Sequence, residues 1–201
     1  MTLEAFRAKR SREKHAAILD AALALFSRDG FAGTSMERVA AEAGVSTATL
    51  YRHFASKTAL FESVASDALD VLDGALEPGE AARLDQLASA YAHLLTAPRT
   101  RAIVRMLVSE TGRGGALAES FYASTKSRIS EVFAAAVARE TGRAGDDPEL
   151  GHIAGQLQGM IEHSTLMRGL VLGDAIDAAG DPDWIARDAL DTWRARWAPV
   201  P

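Results

Sequence analysis

TSMERVAAEAGVSTATLYRHFASKTAL, residues 34–60, is the stretch that decides the fold of this chain. Thr34 followed by Glu37 has the form of a capping box, in which the hydroxyl accepts from the N–H of Glu37 and the carboxylate returns to the N–H of Thr34. A helix is predicted to start here, with Val39, Ala40 and Ala43 on its inward face. Gly44 stands where a left-handed backbone needs a residue without Cβ, so this helix is predicted to stop at about Ala43. Val45 then packs under the turn, and Ser46 is placed to cap a second helix from Thr47 to about His53. Its Leu50 and Phe54 point inward, which leaves Thr47, Thr49, Tyr51, Arg52 and His53 outside. Two short helices joined by a tight turn, with a third following from Ser56, make a helix-turn-helix. Donors on its outer face suit phosphates and base edges.

The segment resembles the N-terminal domain of the tetracycline-repressor (TetR) family of transcription regulators. The motif is AEAGVSTATLYRHFASKTAL with the upstream FAGTSMERVA, covering roughly the first sixty residues. Gly44, Val45, Thr49, Leu50, Tyr51, His53, Phe54, Lys57 and Leu60 fall where the family's pattern places them. The resemblance implies that Tyr51 and His53 contact the DNA backbone, while Thr47, Thr49 and Arg52 are better placed to read bases. Arg52 departs from the aromatic residue often found at its place, which leaves the operator sequence open. Lys57 lies in the first turn of a helix, where a cation opposes the dipole; a phosphate, not the fold, is its expected partner. Thr34 and Ser46 complete the expected DNA-binding set.

At 201 residues the chain can bury a substantial core, and it contains no cysteine, which excludes disulfides, thiolate zinc sites and thiol catalysis. Arg7, Lys9, Arg10, Arg12 and Lys14 form a basic arm before the first predicted helix, able to reach phosphates or a minor groove. This arm lacks the apolar core and cleavage site of a signal peptide, and no apolar run approaches the ~18 residues that span a bilayer. A cytoplasmic protein is expected. The net charge of −5 speaks against nucleic acid until the chain is divided. Residues 1–60 hold nine Lys and Arg against six Asp and Glu, whereas the remainder holds thirteen against twenty-one. A basic head on an acidic body gives a local footprint for phosphates.

Strand signals are almost absent and Ala, Leu, Glu and Arg recur at helical spacing, so the predicted class is all-α. A first helix is expected over about 11–28, ending at an αL Gly30. After the two short helices, a fourth begins near Ser56 and passes through Leu60, Phe61, Val64, Ala68 and Val71 to about residue 76, where Pro78 and Gly79 break the chain. Others are expected over about 80–96, 99–111, 116–141, 147–172 and 182–197, giving about nine. A DNA-binding head over 1–60 and a body over 61–201 would then meet within the fourth helix, the mechanical link between them.

In the body, Tyr91, Met106, Phe121, Tyr122, Gln156 and Met160 are polar, aromatic or Met residues on Ala- and Leu-rich helices. The family resemblance implies a small-molecule effector in a cavity here, apolar with a few convergent polar groups. It further implies that the last two long helices pair with their copies in a homodimer, with Ile153, Leu157, Leu166, Trp184 and Trp193 as expected contacts. Glu162 and His163 are neighbours about 100° apart around a helix, so with His152 they make no metal site. TGRGGA at 111–116 follows no strand and lacks a terminal Gly-Lys-Ser/Thr, and reads as a helix break. No catalytic motif and no cofactor are indicated. The expected function is ligand-responsive repression by a homodimer on a two-half-site DNA operator; the rival is a carrier or enzyme that retains a helix-turn-helix-like head.

Overall fold

A computed structural model describes residues 3–73, 84–110, 116–172 and 180–197. The helices are α1 (Leu3–Gly33), α2 (Met36–Glu42), α3 (Thr47–His53), α4 (Lys57–Asp73), α5 (Leu84–Thr96), α6 (Pro98–Glu110), α7 (Ala116–Phe121), α8 (Ser127–Thr141), α9 (Leu150–Glu162), α10 (Arg168–Leu172) and α11 (Pro182–Trp197). A π turn at Tyr122–Lys126 joins α7 to α8, and another at His163–Met167 joins α9 to α10. Counted as bulged single helices, these two pairs bring the number to nine among the described residues. No helix among them is long and apolar enough to cross a membrane.

The chain forms two compact units, residues 1–67 with 102–121, and 68–101 with 122–201. In the first, Ile18, Leu19, Leu25 and Phe26 of α1 are buried together with Val39, Leu50, Leu60, Phe61 and Val64. Phe26, Phe31 and Phe61 pack ring against ring with centroids 5.4–6.2 Å apart. Burying each such side chain contributes about 2 kcal/mol or more, which is how helices as short as α2 and α3 hold together. The second unit is built on one apolar cluster drawn from α5, α8, α9 and α11, with Tyr91, Phe133, Ile153, Leu157, Ile161 and Trp193 at its centre.

Three expectations are corrected. The cap of α2 is Ser35, not Thr34: the Ser35 hydroxyl accepts from the N–H of Arg38 at 3.3 Å. Thr34 is buried and its hydroxyl donates to the carbonyl of Gly30 at 2.9 Å, so no capping box with Glu37 forms. Gly30 does break α1, but at φ 75° and ψ 166°, an extended mirror-image conformation outside αL and open essentially to glycine alone. The basic arm is not a segment ahead of the first helix; α1 starts at Leu3 and carries it, with Lys9 paired to Glu13 one turn on. α5 ends at Thr96, just before Pro98, and Pro98 opens α6, where its missing N–H costs nothing in a first helical turn. The expected breaks at 78–79, 111–115 and 173 lie outside the described residues.

Candidate nucleic-acid interface

The helix-turn-helix is assembled by local chemistry. Gly44, at φ 65°, lets the chain turn out of α2 while its N–H donates to Ala41 and that of Val45 donates to Ala40. Ser46 then caps α3: its hydroxyl accepts from the N–H of Thr49 at 3.1 Å and pairs with the Thr49 hydroxyl at 2.8 Å. Leu50 and Phe54 are buried, as their spacing predicts. Turned outward are Ser46, Tyr51 and Arg52, with Thr47, Thr49 and His53 half-buried beside them. Tyr51 is 47% exposed, a large aromatic left in solvent on a helix otherwise well packed. Thr34, expected to face DNA, is buried and its side chain is turned inward onto Gly30.

Lys57 overturns the expectation that it lacks a reason in the fold. Its ammonium donates to the carbonyls of Phe31 and Thr34, both at 2.7 Å, and lies 4.6 Å from the centre of the Phe31 ring. It satisfies acceptors left over where α1 ends, which offsets the unfavourable helix dipole. Partial burial lowers its pKa, with the Glu110 carboxylate opposing. Arg38 also joins helices here, donating to Asp29 at 2.6 Å and to the carbonyl of Gly33 at 3.1 Å. Neither role is visible in sequence spacing, since both partners of Lys57 lie more than twenty positions upstream.

His53 packs against His15 of α1, with ring centroids 5.9 Å apart, and His15 lies 5.1 Å from the Phe54 ring. Burial, followed by the charges of His15, Arg52 and Lys14, lowers the pKa of His53. The folded head therefore resists protonating a group that the unfolded chain protonates near pH 6.5. Between those two values the unfolded state binds more protons, so this contribution is complete above about pH 6.5 and is lost as pH falls. Melting is expected at a lower temperature at about pH 5.5 than at about pH 7.5, with the difference reduced in His53→Gln. Equal pH dependence in the two proteins, measured by circular dichroism, would count against this coupling.

The six expected effector residues are distributed over both units. Tyr91 lies in the core of the second unit beside Lys126 and Glu162. Gln156 and Met160 line a surface groove of about 730 Å³ with His163, Trp184, Thr192 and Trp197. There Gln156 accepts from the Trp197 indole at 2.8 Å and pairs with His152 at 2.9 Å. Met106 and Phe121 fall in the first unit, and Tyr122 is exposed. Of the expected dimer contacts, Ile153, Leu157 and Trp193 are buried inside this single chain, and the Trp193 indole donates to the carbonyl of Ile153 at 2.9 Å. Leu166 is partly buried against the same core, and only Trp184 is exposed. Apolar spacing marks these positions as buried without saying by which chain.

An all-helical chain with a capped helix-turn-helix and an exposed aromatic and basic second helix defines a DNA-binding regulator. Residues 18–64 match the model of bacterial regulatory proteins of the tetR family, and residues 82–199 match the C-terminal domain of AefR-like transcriptional repressors. The chain belongs to the tetR family. The HTH-type transcriptional regulator RutR of Escherichia coli strain K12 is 48% identical over 66 residues, a match that covers 31% of this chain and 31% of that protein. A structure described as a TetR-family transcriptional regulator from Mesorhizobium loti superposes with a TM-score of 0.72 at 26% identity, over 94% of this chain and 99% of the other. The flavonoid-responsive regulator FrrA gives a TM-score of 0.62 at 27% identity, over 94% and 98% of the two chains.

Proposed function

We propose that the chain is a cytoplasmic, sequence-specific repressor whose homodimer occupies a two-half-site operator and releases it on binding a small effector. The observation that carries this reading is the outer face of α3, where Ser46, Tyr51 and Arg52 stand exposed on a helix fixed by its cap and by buried Leu50 and Phe54. Residues 1–60 act as the head and 61–201 as the body, with α4 continuous across that boundary. Thr47, Thr49 and Arg52 read bases, while Tyr51, His53 and Lys57 hold phosphates. Two such helices in a two-fold dimer enter successive major grooves about 34–36 Å apart. Lys57 has three donors, and two go to carbonyls; the third serves a phosphate.

The groove bearing Trp184, Met160 and Gln156 is the surface offered to the second subunit, since aromatic and Met side chains suit an interface core. An effector acts as a switch only by binding the DNA-incompetent arrangement more tightly. A typical coupling of ~1–3 kcal/mol changes operator affinity about 5- to 150-fold.

A gel shift on DNA flanking the gene, repeated at several salt concentrations, tests the reading: a specific band weakened by salt is expected, and its absence favours the carrier or enzyme alternative. Tyr51→Ala is expected to weaken operator binding by about tenfold or more, the value of one hydrogen bond to a charged group. Its melting temperature should not change, because an exposed side chain contributes little to stability. Tyr51→Phe separates the hydroxyl from the ring. Unchanged affinity of Tyr51→Ala in fluorescence anisotropy would remove Tyr51 from the interface.

A further inference from the structure

In the second unit, the Tyr91 hydroxyl and the Lys126 ammonium both donate to Oε1 of Glu162. The two donors are themselves 3.4 Å apart. Residues 35 positions apart on α5 and the first π turn thus converge on one anionic oxygen, and the protein fills that position with its own carboxylate. We propose that Tyr91 and Lys126 form a binding site for the carboxylate of a small organic acid, with Glu162 as its internal stand-in. The inference rests on the ligand-responsive reading of the body and names the chemistry of its ligand.

Three observations support the site. Tyr91 is almost fully buried, its ring against Phe133 at 5.1 Å between centroids. Burial, then the Glu162 charge, raises its pKa well above the usual tyrosine value, so it remains a neutral donor. Lys126 and Glu162 keep 26% and 31% of their side-chain surface, so a solute can reach them. Both also stand at irregular backbone: Lys126 ends the first π turn and Glu162 immediately precedes the second. Such turns concentrate at functional sites.

A partly buried ion pair gains little net free energy, because desolvation of both charges offsets their attraction. An incoming carboxylate takes over the same two donors, and Glu162 turns to water. The apolar body of the acid gains contact with Tyr122, which is exposed and close enough to act on the Tyr91 hydroxyl. An inorganic anion has no such body and gains less. The internal carboxylate is therefore a competitor, which gives the arrangement a signature that a merely structural ion pair lacks.

The test is calorimetry of the full chain with benzoate, cinnamate and octanoate, each against its neutral amide. Saturable binding of at least one acid is expected, weaker by about tenfold or more for its amide and in Lys126→Met, as loss of a charge-assisted hydrogen bond requires. Tyr91→Phe, which keeps the ring, should lose a smaller factor. Glu162→Gln should bind the acid more tightly than the unaltered protein, because the competing charge is gone. Variants are compared at temperatures where circular dichroism shows each to be folded. Failure of all three acids to bind either the unaltered protein or Glu162→Gln overturns the proposal, as does weaker binding in Glu162→Gln or equal binding of acid and amide. A specific operator band that persists when no acid binds removes this site and leaves the regulator reading in place; acid binding without any specific band does the reverse.

Discussion

Lys57→Met is expected to destabilise the first unit by about 2 kcal/mol, the scale of hydrogen bonds to a charged donor whose partners are then left unsatisfied. The ammonium bridges the carbonyls of Phe31 and Thr34 at the end of α1 and lies over the Phe31 ring. Methionine keeps the apolar stem but supplies no donor, so both carbonyls lose a partner that partial burial makes hard to replace with water. A fall in melting temperature of about 5 °C or more should follow. Well below that melting point, the salt dependence of operator binding should flatten by about one phosphate contact. The two readouts separate the roles: unchanged melting would refute the bridging role, and an unchanged salt slope would refute the phosphate contact.

The helix-turn-helix was legible in the sequence because its signals are local. Gly44 supplies a positive φ, Ser46 caps within three residues, and Leu50 and Phe54 recur at helical spacing. Lys57 was misread because its partners are distant in sequence, and the dipole argument saw only its own helix. Thr34 and Ser35 show the limit at one residue's resolution: either hydroxyl can cap α2, and the choice follows from Thr34 being drawn to the carbonyl of Gly30. In the body, apolar spacing identified helices but could not bring Tyr91, Lys126 and Glu162 together, since tertiary packing alone sets that convergence. Lys126 was absent from the expected effector residues because, taken singly, it reads as a solvated charge.

Trp193→Ala is expected to have the largest effect on stability, about 3–5 kcal/mol, as for other large aromatics removed from a core. Trp193 is 1% exposed, sits among Ile153, Leu157 and Leu190, and donates its indole N–H to the carbonyl of Ile153. Truncation leaves both a cavity and an unpaired carbonyl. Trp193→Phe should lose less, since much of the volume stays and chiefly the hydrogen bond goes. Trp184 lies nine residues earlier on α11, about 180° around an ideal helix, and is 58% exposed. Trp184→Ala should leave the melting of the isolated chain nearly unchanged while weakening dimerisation by about tenfold or more, as buried tryptophans at interface centres do. Sedimentation across a concentration series reads the association, and circular dichroism reads the fold. A Trp184→Ala protein that dimerises like the original would move the subunit contact off this groove, and a Trp193→Ala protein that melts like the original would contradict its place in the core.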